Sequence, residues 1–421
     1  MAAWTITGML VFFIVVNWAD KAVLGIVAQP LKEDIGITTE QIGFIGSAFF
    51  ALFAVSGLAS GWLASRFSPK WSLTLLALLW SVTQLPMLFS ATVTALFISR
   101  VALGAAEGPA GALSQSAAFE WFPKHKRGMP ASWISAGASI AKIGIAPVLT
   151  WIVIAFGWRA AFISLAIFGV VWSALWLMIS RPGPYAPKKD APAATAETGT
   201  ADAVLSQRIP YKKIMLTPTF LGGLVGAFTM YGLVTVVLTW LPSYFEEGLG
   251  FSRGQAGAMF GLPSISAMIM MIGVNGLADR MLTRGASSRV ARGMVGAGAL
   301  LVGGALLATL PYVPGQWGPV IVVVMGYGIG CIATPLLAAT ISSISPPKQT
   351  AGVLGIFLAL QNCGGLVAPA LTGVLVGAAA TPAEGYAFAF QVFGRMAVAG
   401  GIILALTVNP ARDAERIGLR G

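Results

Sequence analysis

Cysteine, histidine and charged residues are all scarce in this chain of 421 residues. Its two cysteines, Cys331 and Cys363, both lie inside apolar stretches, which favours small core residues over a disulfide framework or a metal site. The single histidine, His125, lies in a basic loop and argues against a catalytic or metal-binding constellation built on imidazole. No nucleophile–base arrangement is visible either. The sequence therefore predicts a protein that is not an enzyme and uses no metal or cofactor.

Charged residues make up only 10% of the chain, and hydrophobic residues make up 57%. Soluble proteins carry about 25% charged residues, so this scarcity excludes an ordinary soluble domain and indicates a membrane protein. The first apolar stretch is about 25 residues long and holds Asp20 and Lys21 near its far end. We therefore expect it to remain as a membrane helix and not to be cleaved as a signal peptide.

Twelve apolar windows of about 20 residues, the length that crosses a bilayer as a helix, can be placed along the sequence. They lie near residues 4–28, 40–63, 71–90, 93–121, 130–154, 158–179, 213–241, 254–277, 290–311, 317–343, 350–377 and 385–408. The fold class predicted from them is an all-α membrane protein with twelve transmembrane helices.

The net charge of +11 follows from membrane topology and does not indicate a nucleic-acid partner. With a cytoplasmic N-terminus, Lys32, Arg159 and Arg253 fall outside. Four more basic residues fall within spans, and the remaining 19 of the 26 fall in cytoplasmic segments. The four are Lys21, Arg100, Lys142 and Arg395. Positive residues accumulate on the cytoplasmic side of membrane proteins, so we expect a multi-pass protein of the cell membrane with both termini cytoplasmic.

Two blocks of six spans, residues 1–180 and 213–421, are separated by residues 181–212. That segment is rich in Pro, Ala and Thr and is predicted to be a flexible cytoplasmic linker. The blocks repeat each other weakly, because LASR at 63–66 has a counterpart in LADR at 277–280. Two pseudo-symmetric six-helix bundles are typical of alternating-access transporters, whose substrate site lies between the repeats.

Several motifs resemble those of the major facilitator superfamily over essentially the whole chain, and within it the anion:cation symporter group. They are NWADKAVLG at 17–25, RVALGAAEG at 100–108, the WFPKHKRG loop at 121–128, FGWRAAF at 156–162, TWLPSYF at 239–245 and QNCGGLVAPALTG at 361–373. The resemblance implies uptake of an organic anion together with protons. The expected partners are the anion, protons and the lipid bilayer, and we expect a monomer.

The cytoplasmic gate motif of the superfamily is altered in the first half of this chain. Ser65 precedes Arg66 where the family usually has aspartate, whereas the second half keeps Asp279 and Arg280. The resemblance assigns these charged residues to gating. Polar loop chemistry alone is the alternative, since exposed ion pairs contribute little free energy.

Asn17, Asp20 and Lys21 follow one another at helical spacing in the first span. The family usually has Asp-Arg at this place, which implies proton coupling by Asp20 and anion binding by Lys21, with Asn17 beside them. Lysine is a compact point charge without the bidentate fork of arginine, so we expect looser recognition of a carboxylate. A structural Asp–Lys ion pair remains the alternative.

The fourth span contains Arg100 and Glu107, seven residues apart and thus on nearly one helix face. Gly104 and Gly108 beside them have the small-xxx-small spacing that lets two helices approach closely. The resemblance makes Arg100 architectural and Glu107 a proton-binding group. The alternative is that the two charges only neutralise each other and lock the helix in place.

Lys142 in the fifth span is an addition to the family pattern, on a polar stripe that includes Ser139. A buried ammonium group calls for an anion, so a substrate carboxylate is the predicted partner and pairing with Asp20 or Glu107 the alternative. In the second half the polar candidates for substrate binding are Tyr231, Gln361 and Asn362. The resemblance places Asn362 near the substrate, whereas hydrogen bonding in the core is the competing explanation for Tyr231 and Gln361.

Phe53 stands where sugar-acid carriers of the group tend to have tyrosine. A phenyl ring cannot hydrogen-bond substrate hydroxyls, so the sequence favours proton-coupled uptake of an aromatic or short aliphatic carboxylate. Simple packing of helices is equally compatible with this residue. The functional alternatives are a sugar-acid/proton symporter, a proton-coupled exporter and a non-transporting membrane sensor.

Overall fold

The computed structural model describes residues 2–90, 92–123, 126–186, 209–346 and 349–419. Every regular element in these ranges is a helix. Most of the predicted linker, residues 187–208, lies outside the described residues, and so does His125.

The first half contains ten α-helices and one π-helical turn in its described residues. They are α1 (Ala2–Ile35), α2 (Thr39–Leu58), α3 (Ser60–Arg66), α4 (Pro69–Gln84), α5 (Pro86–Phe89), α6 (Val93–Glu107), α7 (Ala110–Phe119), α8 (Gly128–Ile140), the π-helical turn Ala141–Ile145, α9 (Ala146–Phe156) and α10 (Trp158–Ile179).

The second half continues from residue 209 with α-helices that are interrupted by π-helical and 3-10 turns. They are α11 (Tyr211–Met215), α12 (Pro218–Ser243), the π-helical turn Tyr244–Gly248, α13 (Arg253–Met259), α14 (Leu262–Thr283), the π-helical turn Arg289–Met294, α15 (Val295–Ala308), the 3-10 turn Leu310–Tyr312, α16 (Trp317–Cys331), α17 (Ala333–Ser343), α18 (Thr350–Gly377), α19 (Pro382–Thr407) and α20 (Pro410–Arg416).

Eleven helical stretches of the described chain are long and apolar enough to cross a membrane. The fourth predicted span is the exception, because it is divided into α6 and α7 at Gly108 and Pro109. Proline has no backbone N–H and its ring clashes with the carbonyl four residues earlier, so it interrupts a helix. The fourth predicted span thus consists of two shorter helices, and Glu107 is the last residue of the first.

α2 and α6 pack with their backbones in close approach at two glycines. A Cβ atom added to Gly104 would collide with the carbonyl oxygen of Phe49, and one added to Gly108 would collide with Oγ of Ser56 and the carbonyl oxygen of Phe53. Only glycine permits this separation. The structure therefore places the small-xxx-small motif at a helix–helix contact and holds α6 in a defined register on α2.

Contacts divide the chain into two compact units. The first consists of Met1–Ala191, Val236–Gly261 and Leu366–Gly385, and the second of Pro192–Thr235, Leu262–Gly365 and Tyr386–Gly421. Two segments of the second half of the chain therefore cluster with its first six predicted spans. The predicted division into 1–180, 181–212 and 213–421 concerns membrane bundles and stays a prediction.

Hydrogen bonds at the bend around Pro369 join the parts of the first unit. Nε1 of Trp240 donates to the carbonyl oxygen of Pro369 at 3.0 Å, and the backbone N–H of Ala370 donates to Oγ of Ser47 at 2.9 Å. Gly25 of α1 lies against the backbone of Thr239 so closely that a Cβ atom would be 2.8 Å from its carbonyl oxygen. These contacts connect α1 and α2 to the segments 236–261 and 366–385.

The three basic residues that the predicted topology places outside all form ion pairs in the first unit. Lys32 lies 3.1 Å from Glu247, Arg159 lies 3.0 Å from Asp34, and Arg253 bridges two acids. Arg253 is 2.8 Å from Glu33 and 3.0 Å from Glu246. The exceptions to the positive-inside pattern are therefore charges neutralised by neighbouring carboxylates.

In the second unit, Asp413 of α20 caps the beginning of α12. Its Oδ2 accepts the backbone N–H of Thr219 at 2.8 Å, and its Oδ1 accepts Nε of Arg412 at 2.9 Å. The first N–H groups of a helix have no partner within the helix, so a carboxylate there satisfies one of them and complements the helix dipole. Burial acts to raise the pKa of Asp413, but the hydrogen bonds from Arg412 and Thr219 outweigh it and hold the pKa below its usual range.

We expect Asp413→Asn to lower the free energy of unfolding by about 1–3 kcal/mol at neutral pH, because a charged acceptor is replaced by a neutral one. A carboxyl whose pKa is depressed by folding contributes stability above its unfolded pKa, and that contribution disappears as pH falls through the folded pKa. The thermal midpoints of wild type and variant should therefore converge below about pH 4. Glu415→Gln, at an exposed neighbour on α20, is the control. An equal shift in both variants would contradict the capping role.

Candidate functional site

Lys21 of α1 and Glu107 of α6 form a buried ion pair. Nζ of Lys21 lies 2.8 Å from Oε2 of Glu107, and the two side chains are 2% and 0% exposed. Nζ also donates to Oδ1 of Asn17, one helical turn earlier in α1. Removing a charge from water costs several kcal/mol, so neither charge is stable at this depth without the other. The charge state of Glu107 is thus coupled to that of Lys21.

The second oxygen of the Glu107 carboxyl, Oε1, receives no hydrogen bond from any described residue. The amide nitrogen Nδ2 of Asn17 likewise finds no acceptor among them. Buried polar groups normally have partners, and the exceptions often lie at functional sites. Oε1 can therefore take a proton without breaking a hydrogen bond, and Asn17 can donate to a bound molecule.

Three aromatic rings surround the ammonium group of Lys21. Its Nζ lies 4.9 Å from the ring centroid of Phe53, 5.2 Å from that of Trp18 and 5.8 Å from that of Phe49. A desolvated cation over an aromatic face gains up to about 2 kcal/mol. Phe53, which the sequence suggested as apolar pocket surface, therefore packs against the cation that the same analysis assigned to anion binding.

Asp20 and Arg100 are connected through Gln84, the last residue of α4. Nε2 of Gln84 donates to Oδ1 of Asp20 at 2.8 Å, and Nη2 of Arg100 donates to Oε1 of Gln84 at 2.9 Å. Nη1 of Arg100 donates to the backbone carbonyl of Asp20 at 2.9 Å, and all three residues are almost fully buried. The side-chain amide of Gln84 thus bridges Arg100 and the carboxyl group of Asp20. The hydrogen bonds of Arg100 connect α6 to α1 and α4.

Arg100 pairs with Gln84 and the Asp20 backbone, and the carboxyl of Glu107 pairs with Lys21. Arg100 and Glu107 therefore do not pair with each other, which was the alternative that their spacing left open. Seven residues of α-helix advance about 10.5 Å along the axis, so two side chains on one face can still reach different neighbours. Arg100 and Glu107 therefore belong to two different polar clusters, although they lie on one face of the helix.

A small cavity of about 10 Å³ lies beside these clusters. It is lined by Asp20, Lys21, Leu24, Gly46, Phe49, Phe50, Arg100, Leu238 and Thr239. That volume admits about one water molecule, whereas pockets for small organic ligands measure about 300 Å³ or more. In this conformation the cavity is of a size for water or a proton carrier and too small for an organic acid.

Lys142 lies in the π-helical turn Ala141–Ile145 and is 6% exposed. Its Nζ is 5.5 Å from the ring centroid of Trp18, the same indole that Lys21 approaches. Ser139, the other predicted member of this stripe, is half-buried. The structure therefore brings the out-of-pattern lysine to Trp18 of α1, the ring that Lys21 also approaches.

A family model for the Major Facilitator Superfamily matches residues 10–334 of the sequence. The chain belongs to the major facilitator superfamily. It is therefore a multi-pass membrane transporter and not an enzyme.

Several curated relatives of this superfamily member are named as transporters of sugar acids. The chain is 25% identical over 398 residues to the hexuronate transporter of Bacillus subtilis (strain 168), and the alignment covers 94% of this chain and 92% of that protein. It is 26% identical to the probable galactarate/D-glucarate transporter of the same organism, over 97% and 92% of the two chains. It is 23% identical to the D-galactonate transporter of Escherichia coli O6:H1, over 97% and 96%.

Solved structures of superfamily transporters share the fold at low sequence identity. A bacterial homologue of the human lysosomal transporter Spinster superposes with a TM-score of 0.76 at 16% identity, over 97% of both chains. The D-xylose–proton symporter superposes with a TM-score of 0.75 at 18% identity, over 97% of this chain and 99% of that one. These similarities establish an all-helical transporter fold of the superfamily for this chain.

The other predicted site residues of this superfamily member are not part of the charged clusters. Arg66, Asp279 and Arg280 are exposed, and no described residue forms an ion pair with any of them. Their gating role stays a prediction. The polar candidates of the second compact unit are one buried residue, Gln361, and two half-buried ones, Tyr231 and Asn362.

Sequence reasoning missed two residues that organise the site of this transporter. Gln84 links Asp20 to Arg100, and Nε1 of Trp80 donates at 3.1 Å to the carbonyl oxygen of Ala106, next to Glu107. Gln84 was detectable in principle, because an amide in an apolar span must find a partner inside the protein. Nothing in the sequence distinguishes Trp80 from a packing residue.

Proposed function

We propose that this transporter carries a sugar acid together with protons across the cell membrane by alternating access, with both termini in the cytoplasm. The observation that carries the proposal is the fully buried Glu107 carboxyl, 2.8 Å from the ammonium group of Lys21 and with one oxygen unpartnered by described residues. A carboxyl in this position competes with a substrate carboxylate for the same cation. Protonation of Glu107 ends that competition.

Coupling follows from the charges that the site can hold. Lys21, Arg100 and Lys142 exceed the carboxylates Asp20 and Glu107 by one positive charge when both acids are ionised, and by three when both are protonated. Protons therefore strengthen binding of an anion, and by linkage the bound anion strengthens binding of protons. Asp20 and Glu107 are the proposed proton carriers. Their deprotonation on the cytoplasmic side returns Lys21 to Glu107 and releases the anion.

A hydroxylated substrate fits this site better than the aromatic or short aliphatic acid that Phe53 suggested. Phe53 lies over the ammonium group of Lys21, so the ring has a cation–π contact that does not depend on the substrate, and its presence no longer argues against sugar acids. Nδ2 of Asn17, which finds no acceptor among the described residues, offers a donor for a substrate oxygen. Hexuronate, galactarate, glucarate and galactonate in the names of the relatives favour the same class.

Transport by purified protein in proteoliposomes tests this function. We expect uptake of labelled galactonate or a hexuronate to rise with an inside-alkaline pH gradient and to fall to equilibration when a protonophore collapses the gradient. One coupled proton supports about tenfold accumulation per pH unit, since each unit corresponds to about 1.36 kcal/mol. Competition by unlabelled benzoate and short aliphatic acids is measured in parallel.

Three outcomes would contradict the proposal. Uptake of benzoate without uptake of any sugar acid would favour the aromatic acid. Accumulation driven only by an inside-acid gradient would favour an exporter, in which protons move against the substrate. Absence of flux for every anion, with binding retained, would favour a sensor.

A further inference from the structure

We infer that Lys142 and Lys21 form a two-cation site around Trp18 that recognises a substrate with two anionic groups. The inference rests on the proposed function and narrows it from sugar acids in general to diacids. Its structural basis is that two buried ammonium groups lie 5.5 Å and 5.2 Å from the centroid of one indole ring. Both ammonium groups therefore lie beside Trp18 of α1, although Lys142 comes from the π-helical turn Ala141–Ile145.

The π-helical turn Ala141–Ile145 is what brings Lys142 to this position. Before the turn, Gly137 of α8 packs on Ile14 of α1, where an added Cβ atom would be 2.9 Å from Cγ2. Further along, Lys142 approaches Trp18. From Gly137 to Lys142 the chain advances five residues, whereas from Ile14 to Trp18 it advances four. A π-helical turn supplies the additional residue, and such turns are frequent at functional sites.

The backbone of Lys142 is also held from the opposite direction within the first compact unit. A Cβ atom added to Gly261 would be 2.8 Å from Cα of Ile143 and 3.1 Å from the carbonyl oxygen of Lys142. Close packing of this kind restricts the turn, so the ammonium group is presented from a rigid element. A lysine that was only tolerated at a lipid-facing position would need no such support.

Two neighbouring cations favour a dianion for an electrostatic reason. A buried ammonium group is stabilised by each carboxylate that reaches it, because the opposite charge offsets the cost of holding the cation away from water. When Glu107 is protonated, Lys21 becomes available to one carboxylate of the substrate. A second carboxylate, several bonds away on the same molecule, reaches Lys142, and a monoacid leaves that cation without this contribution.

Galactarate and galactonate form a matched pair for the test, because they differ in one terminal group: a carboxylate in the first and a hydroxymethyl group in the second. We expect wild-type protein to bind galactarate at least tenfold more tightly than galactonate at the same pH. Lys142→Met, which keeps an unbranched apolar stem, should weaken galactarate binding at least tenfold and change galactonate binding less than threefold. Lys142→Arg should retain the preference. Lys212→Met, at an exposed lysine of α11, controls for the loss of one positive charge.

Equal losses for both acids in Lys142→Met, or a wild-type preference for galactarate below threefold, would overturn the inference. Retained galactonate binding shows that the variant is folded. If Lys142→Met does not fold, the galactarate-to-galactonate ratios of wild type and Lys142→Arg decide, and a ratio near one in both rejects the two-cation site. Failure of wild type to bind or transport any sugar acid would instead reject the proposed function itself.

Discussion

Replacing Glu107 with glutamine is expected to abolish accumulation of substrate driven by a pH gradient while sparing exchange of substrate for substrate. The amide has the shape of a protonated carboxyl and cannot release a proton, so Lys21 stays available to the anion on both sides of the membrane. In proteoliposomes with a gradient of one pH unit, the accumulation ratio should fall from about ten to about one. Counterflow of labelled substrate should continue.

The control for this variant is Glu120→Gln, which makes the same substitution just after α7, away from the Lys21–Glu107 pair. It should leave both accumulation and counterflow unchanged. An accumulation ratio in Glu107→Gln that still follows the pH gradient would assign coupling to Asp20 alone. Loss of counterflow together with accumulation would mean that Glu107 is needed for binding or for folding.

Replacing Gly104 with alanine is expected to have the largest effect on stability, about 3 kcal/mol or more. The added Cβ atom would overlap the carbonyl oxygen of Phe49, and a backbone atom cannot move aside as a flexible side chain can. Overpacking of a tight contact usually costs about 1–3 kcal/mol, and here the helices α2 and α6 must separate. The thermal midpoint of the detergent-solubilised protein, followed by tryptophan fluorescence, measures the loss.

Gly111→Ala provides the matched comparison in the following helix, α7. No atom lies within 4 Å of a Cβ added to Gly111, so alanine should be neutral or stabilise the helix by about 0.5–1 kcal/mol. The glycine-to-alanine substitution seven residues further along the chain should thus not lower the stability and can raise it. A midpoint for Gly104→Ala as high as that of Gly111→Ala would show that the α2–α6 contact can relax.

The helical membrane architecture was predictable because a bilayer leaves a chain few choices. Backbone groups in hydrocarbon must be hydrogen-bonded within their own segment, so long apolar windows become helices whatever they pack against. The division of one span at Gly108 and Pro109 was not predicted, and proline alone does not determine it, because α1 and α18 continue through Pro30 and Pro369. The family resemblance carried by the quoted motifs was confirmed by the match of residues 10–334.

The neighbours of each charge could not be predicted, because they depend on which helices meet. Spacing within one helix correctly grouped Asn17 with Lys21, yet it gave no means of choosing between Arg100 and Lys21 as the partner of Glu107. Phe53 was interpreted as a residue that faces the substrate, whereas its ring lies over Lys21, which belongs to a different helix. Gln84 went unnoticed because its two partners are 64 and 16 residues away.

Hydropathy and helix formation are properties of local segments, so the amino-acid sequence alone predicted a helical membrane transporter and the burial of Asp20, Lys21, Arg100, Glu107 and Lys142. It did not predict that Arg395 is exposed or that Asp413 is buried. Only the tertiary structure decided that Glu107 pairs with Lys21, that Gln84 joins Asp20 to Arg100 and that Lys142 shares Trp18 with Lys21. These contacts depend on the separation and rotation of neighbouring helices. Close packing at residues such as Gly104 and a π-helical turn at Ala141–Ile145 set both, and neither is encoded in the periodicity of a single helix.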